Sequence, residues 1–214
     1  MSTPYPDLQR LDAHARQYPD FDQWRQGYGV IQHLPETQEQ VIELAGELVR
    51  LGLQSDHGGV YRTMTALDRL TSAGLWLVVH MTYACRVHRD GGPMGTQDFK
   101  HQPEGHTGGT LNMVPGYAAY LALNNLTAST RGWMMGQGHC VAAIDALNVL
   151  LGNLHPEQAA RYGGSDGLNH LVNDFYGYRQ APDGRPEAPL GSHVNPHTAG
   201  GIIEGGYLGF AELQ

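Results

Sequence analysis

The chain has 214 residues and a net charge of -8, and Lys100 is its only lysine. That length fits one domain with room for an N-terminal extension. The charge excludes a general nucleic-acid binder, which needs clustered cations to displace counterions.

Residues 1–34 carry scattered aromatics and charges, among them Tyr5, Tyr18, Phe21, Trp24 and Tyr28. They predict a short helix near Asp7 to Gln17, then irregular chain forming an arm. The first nine residues are polar, so no signal peptide is read there. Thr37 and Gln40 have capping-box spacing. They predict the start of an amphipathic helix with Val41, Leu44, Leu48 and Leu51 on one face, ended by Gly52. Two further helices are expected at about Tyr61 to Leu70 and Leu75 to Val87, the latter closed by the turn residues Arg89 to Pro93. The longest apolar stretch, Leu75 to Val79, is too short to span a bilayer.

Residues 90–105 read as a polar loop. Leu111 to Leu126 reads as a helix with Pro115 in its first turn. Thr130 to Met135 reads as a short buried strand. Val141 to Leu151 is the next helix, Pro156 opens another, and Gly167 to Tyr176 a last one. Residues 177–191 read as a loop, and Ile202-Ile203 as a short extended segment. The sum is an α/β expectation, helix-rich with short parallel buried strands.

Several motifs point nowhere. Gly136-x-Gly138 lacks the third glycine of a dinucleotide fingerprint, because position 141 is Val. Gly163-Gly164-Ser165-Asp166-Gly167 spells a nucleophile elbow, but a helix is expected before it where a strand is needed, so Ser165-Asp166 is read as a helix N-cap. His80 with His88, and His101 with His106, lack i, i+4 spacing, and Cys85 and Cys140 lack C-x-x-C spacing, so no metal ligand is assigned. Two cysteines in the whole chain make no disulfide framework and suit a reducing cytoplasm.

Three histidines differ from the rest: His106, His139 and His193 sit beside glycines or in turns. Glycines clear space for a ligand, and a neutral imidazole donates or accepts a proton near pH 7. The plainer alternative is a turn held by an imidazole hydrogen bond.

Those segments resemble the N-terminal thiamine-diphosphate-binding domain of phosphoketolases and, more remotely, of transketolases. Gly105-His106-Thr107-Gly108-Gly109-Thr110 is similar to the family's Gly-His-x-Gly-Thr-Thr. Met135-Gly136-Gln137-Gly138-His139 is similar to Ser-Gly-Pro-Gly-His. Residues 192–209, from Ser192-His193-Val194 to Glu204-Gly205-Gly206-Tyr207-Leu208-Gly209, are similar to a long Ser-His-Val…Glu-Gly-Gly-Glu-Leu-Gly block. The resemblance covers roughly residues 60–214. Gln137, His197, Ala199 and Tyr207 depart from it, and the Gly-Asp-Gly…Asn motif that binds magnesium and diphosphate in the family does not occur.

Residues 1–55, outside the resemblance, are expected to form an N-terminal helical extension; over 56–214 the resemblance implies the first part of a transketolase-like domain, incomplete at its C-terminus. The resemblance also implies His106, His139 and His193 as catalytic residues, and His139, Gly206 and Leu208 as cofactor contacts. It also implies thiamine diphosphate and magnesium as cofactors, the metal ligands lying outside these residues. The expected reaction cleaves a ketose phosphate (xylulose 5-phosphate or fructose 6-phosphate) with inorganic phosphate to acetyl phosphate and an aldose phosphate, in a homodimeric cytoplasmic enzyme. Transketolase-like two-carbon transfer is the near alternative. A non-catalytic remnant that binds a partner or metabolite is the distant one. These 214 residues by themselves are expected to be inactive.

Overall fold

A computed structural model of the protein describes residues 6–133, 138–184 and 187–189. The chain divides into two compact units, Met1–Ser72 with Ala118–Arg131, and Ala73–Tyr117 with Gly132–Gln214.

In the first unit Asp7 caps α1 (Leu8–Gln17). Its carboxylate accepts the otherwise unpaired N–H groups of Gln9 and Arg10 at 3.0 and 3.1 Å. The expected irregular arm then proves ordered. Pro19 opens α2 (Pro19–Arg25), with Asp20 and Asp22 in the first turn, where acids suit the positive end of the helix. Phe21 and Trp24 from this helix are buried with Leu11, Ala15, Val41, Ala45, Leu48, Val60, Tyr61 and Leu126. The following loop is pinned by His33, which stacks on Trp24 at 4.1 Å and pairs with Asp68 at 2.7 Å.

α3 (Pro35–Arg50) begins on Pro35 and has no side-chain cap. The Thr37–Gln40 capping box does not form, because Pro35 has already set the first turn. Val41, Ala45 and Leu48 are the buried positions, whereas Leu44 and Leu51 are exposed. The buried stripe is therefore turned from the expected one. Gly52 does end the helix, at φ +71°, a conformation costly for other residues.

Asp56 caps the next helix by accepting from Gly59 N–H at 2.8 Å. This helix, α4 (His57–Tyr83), runs unbroken for 27 residues where two shorter helices were expected. No proline interrupts Thr71 to Gly74, and the buried positions continue through Leu77, Val78 and Met81 in the second unit. Gly74 is a point of close approach. A Cβ there would lie 2.5 Å from Leu147 Cδ2 and 3.0 Å from Val114 Cγ1, and both residues are fully buried. Helix propensity favours Gly74→Ala by about 1 kcal/mol, and overpacking opposes it by about 1–3 kcal/mol. The expected outcome in denaturant unfolding is a net loss of up to about 2 kcal/mol. A stabilised variant would show that the neighbours relax freely.

α5 (Thr107–Thr127) starts four residues earlier than expected, so Pro115 lies inside it and not in its first turn. Beyond it, α6 (Ala142–Leu151), α7 (Pro156–Tyr162) and α8 (Gly167–Asp174) follow close to the predicted bounds. α7 directly precedes Gly163, so Ser165 has no strand before it and no nucleophile elbow forms. Asp166 occupies the N-cap position of α8, without a side-chain cap bond.

The α/β expectation is overturned. Among the described residues there is no strand, only helices, short 3-10 turns and two isolated bridge pairs, so the fold is all-α. The predicted strand Thr130 to Met135 is irregular as far as Trp133. Its polar groups are already engaged by α5. Tyr120 donates its hydroxyl to the Arg131 carbonyl, and Arg131 reaches back to Thr127 Oγ1 at 2.8 Å and Asn124 Oδ1 at 3.3 Å. A carbonyl held this way is not offered to a ladder. Residues 134–137 and the expected extended pair Ile202-Ile203 lie outside the described residues. No described helix is long and apolar enough to cross a membrane.

Candidate functional site at the start of α5

The second unit places the beginning of α5 by three contacts. Gly105 adopts φ +132°, and a Cβ there would meet Phe175 Cε1 at 2.9 Å and Thr82 Oγ1 at 3.2 Å. Glycine is thus required both for the backbone angle and for the approach. Thr107 donates its hydroxyl to Thr82 Oγ1 at 3.1 Å, tying the helix start to the end of α4.

His106 stands where an N-cap residue stands. Its carbonyl accepts from Thr110 N–H at 3.1 Å and from Thr110 Oγ1 at 2.6 Å. Its Nδ1 accepts from Gly109 N–H at 3.2 Å. The ring thus satisfies a helix-terminal donor as an Asn or Ser side chain would. A nitrogen that accepts an N–H carries no proton, so the neutral ring holds its proton on Nε2. The plainer reading of this histidine, a turn-stabilising hydrogen bond, is real. It also fixes the tautomer that a ligand would meet.

His139 comes from a 3-10 turn, Gly138–Cys140, that leads into α6. Its ring meets that of His106 edge-on, with centroids 4.5 Å apart and an interplanar angle of 82°. Two of the three histidines singled out in the sequence are therefore brought together from segments 33 positions apart. His193, Gly206 and Leu208 lie outside the described residues.

Sequence reasoning missed Cys140 as a neighbour of this pair. The thiol is fully buried. Burial pushes it above its ordinary range, opposed by a hydrogen bond with Thr110. A signal was present: one of only two cysteines directly follows a Gly-flanked histidine.

A separate cavity of about 300 Å³ is lined by Cys85, Lys100, Glu104, Asn173, Phe175 and Tyr176, among others, and by neither His106 nor His139. Lys100 Nζ donates to the carbonyls of Met81 at 2.7 Å and Phe175 at 3.0 Å. These oxygens belong to the ends of α4 and α8, where helices leave carbonyls unpaired and cations are favoured. Burial pushes the ammonium down to about 8. Lys100→Met orphans both carbonyls at about 1–3 kcal/mol each. The expected loss is on the order of 2–6 kcal/mol in denaturant unfolding. A variant as stable as the parent would show that water replaces the ammonium.

With this geometry in place, known proteins become informative. Residues 61–213 match the profile of the family described as XFP N-terminal domain. The chain belongs to that family. It is also 31% identical over 121 residues to a probable phosphoketolase of Schizosaccharomyces pombe (strain 972 / ATCC 24843), a stretch that covers 56% of this chain and 14% of that protein. No solved structure matches the chain. The phosphoketolase resemblance carried by the three motif blocks is therefore borne out at the level of the family.

Proposed function

We propose that this chain is the N-terminal part of a thiamine-diphosphate-dependent phosphoketolase. In this reading the enzyme cleaves xylulose 5-phosphate or fructose 6-phosphate with inorganic phosphate, giving acetyl phosphate and an aldose phosphate. The observation that carries the reading is the meeting of His106 and His139 at the N-terminus of a 21-residue helix. Family membership supports the same class of enzyme.

The residues at this place fit one side of the cofactor site. The backbone at Gly108 is open, with nothing within 4 Å of where a Cβ would stand. A helix N-terminus offers positive potential to an anionic group. His139, with Gly206 and Leu208, is the assigned set of cofactor contacts. Magnesium ligands are not assigned within these residues. When bound, the cofactor supplies the electron sink for breaking the bond beside the ketone carbon.

The histidines perform the proton handling. Cleavage needs the proton of the substrate's C3 hydroxyl to leave and the oxygens at C1 and C2 to be held. His106 presents Nε2–H as a donor to a substrate oxygen, because Nδ1 is committed to Gly109. In this reading His139, whose ring packs against that of His106, takes the hydroxyl proton, and His193 is the third member of the set. A homodimeric cytoplasmic enzyme completes the proposal.

The test is acetyl phosphate production by the protein as its gene encodes it, supplied with thiamine diphosphate, magnesium, phosphate and either ketose phosphate. Acetyl phosphate that depends on all four supports the reading. No turnover of either sugar phosphate overturns it. The 214 residues alone are expected to form none, since they contain no Gly-Asp-Gly motif.

A further inference from the structure

We propose that His106, His139 and Cys140 form a binding site for a thiophilic divalent cation of the zinc class. One ligand atom from each lies within 4.8 Å of the others, a cluster of two imidazoles and one thiol. The proposed reaction uses the imidazoles and leaves the thiol without a part. A thiol beside two imidazoles is instead a donor set that selects zinc-like ions over magnesium or calcium, which take oxygen ligands.

The local backbone is shaped for convergence. A Cβ at Gly109 would lie 2.5 Å from His106 Nδ1 and 3.0 Å from Cys140 Sγ. The missing side chain lets the first imidazole and the thiol face the same point. The thiol is buried and the His106 ring exposed, so one ligand is rigidly placed and another is able to adjust. Tetrahedral zinc with bonds of about 2.0–2.3 Å holds its ligand atoms about 3.3–3.7 Å apart. The cluster closes around an ion with a contraction on the order of 1 Å, within reach of a rotation of the exposed ring.

Three protein ligands leave a fourth position for water or an anion, as in open zinc sites. Ligation by His106 through either nitrogen ends the Gly109 N–H bond to Nδ1. Coordination at Nδ1 uses the accepting lone pair, and coordination at Nε2 moves the ring proton to Nδ1. Occupancy therefore loosens the first turn of α5. It also removes His106 and His139 from any other role while the ion is bound.

The experiment titrates the 214-residue chain with Co²⁺ and then displaces it with Zn²⁺, so its readout is independent of turnover. Expected is one equivalent of Co²⁺ with a thiolate-to-cobalt charge-transfer band, bleached by Zn²⁺. Cys140→Ser abolishes the band and weakens Zn²⁺ binding by on the order of 10- to 100-fold or more. Absence of the band, or Zn²⁺ affinity unchanged in Cys140→Ser, overturns the site, the other histidines then being the binders. Where circular dichroism shows Cys140→Ser unfolded, His139→Gln decides. Affinity lowered by at least tenfold supports the site, and unchanged affinity overturns it.

Discussion

Asp174→Asn is expected to cost about 3–5 kcal/mol. The side chain is 0% exposed and carries a full negative charge. Arg161 grips it with Nε and with Nη2, the latter at 2.7 Å. Tyr162 donates to it at 3.0 Å, and Arg179 donates to it as well. Burial raises the carboxyl's pKa, but the bonds from Arg161 and Tyr162 outweigh burial and hold it below the usual carboxylate range. Removing one member of a buried, hydrogen-bonded charge set leaves its partners uncompensated. Against a total of about 5–15 kcal/mol such a loss is large, and for a chain of this size it lowers the melting temperature by roughly 10 °C. The pH dependence follows from the depressed pKa. The ionised carboxylate contributes fully above the unfolded value of about 3.9, and its contribution is lost as pH falls through the lower folded value. The gap between parent and variant is therefore constant above about pH 4 and narrows below it. A variant within 1 kcal/mol of the parent at pH 7 would mean that water and the two arginines rearrange at little cost.

That carboxylate matters beyond α8 itself. Asn169 accepts Val87 N–H at 2.7 Å, Asn173 donates to the Cys85 carbonyl at 2.8 Å, and Lys100 holds the Phe175 carbonyl. Phe175 in turn is the ring against which Gly105 places the start of α5. A path of packed groups thus runs from the charge set on α8 to His106. Loosening α8 is expected to disturb the candidate site as well as the global stability.

Parts of this arrangement are plain in the sequence, and the reasons for the rest are physical. Capping and terminating residues were legible where they act alone: Asp7, Gly52 and Pro156 each mark a boundary they do set. Thr37 was misleading because Pro35, two residues earlier, had already fixed the helical angle. α2 was missed although Pro19 announces it, since seven residues give too little periodicity to register. The break expected between Leu70 and Leu75 does not form, and Gly74 sits inside the unbroken helix α4. Its function there is steric, and the neighbours that explain it, Val114 and Leu147, are distant in sequence. The false strand at Thr130 rests on the same difficulty, as Tyr120 and Arg131 engage its polar groups through contacts that no local pattern encodes. For the site, the glycine-flanked histidines singled out in the sequence, His106 and His139, are brought together in the structure. The bond from Gly109 that makes His106 a cap is the plainer alternative the sequence offered, whereas Cys140 as a neighbour of the pair needed the three-dimensional arrangement.

His106, a cap of α5 in the structure and a proton donor in the proposed reaction, is the residue whose substitution says most about function. His106→Ala removes both the cap and the imidazole. It is expected to lose about 0.5–2 kcal/mol of stability, the usual cost of a lost N-cap. His106→Asn removes the imidazole alone, because asparagine is among the best N-cap residues and its carbonyl oxygen can accept from Gly109. If the ring only caps α5, His106→Asn melts with the parent and keeps acetyl phosphate formation by the protein as its gene encodes it. If Nε2–H is aimed at a substrate oxygen, His106→Asn still melts with the parent, yet turnover falls by about 10²–10⁴-fold, the range ascribed to a positioned proton donor. The proposed phosphoketolase reading expects the second outcome. The histidine ring exceeds what the cap demands, and it lies against His139, which has no part in capping α5. Stability separates the fold from the chemistry here. A matched melting temperature with lost turnover separates the imidazole's chemistry from its capping, whereas full activity in His106→Asn would return His106 to a structural role.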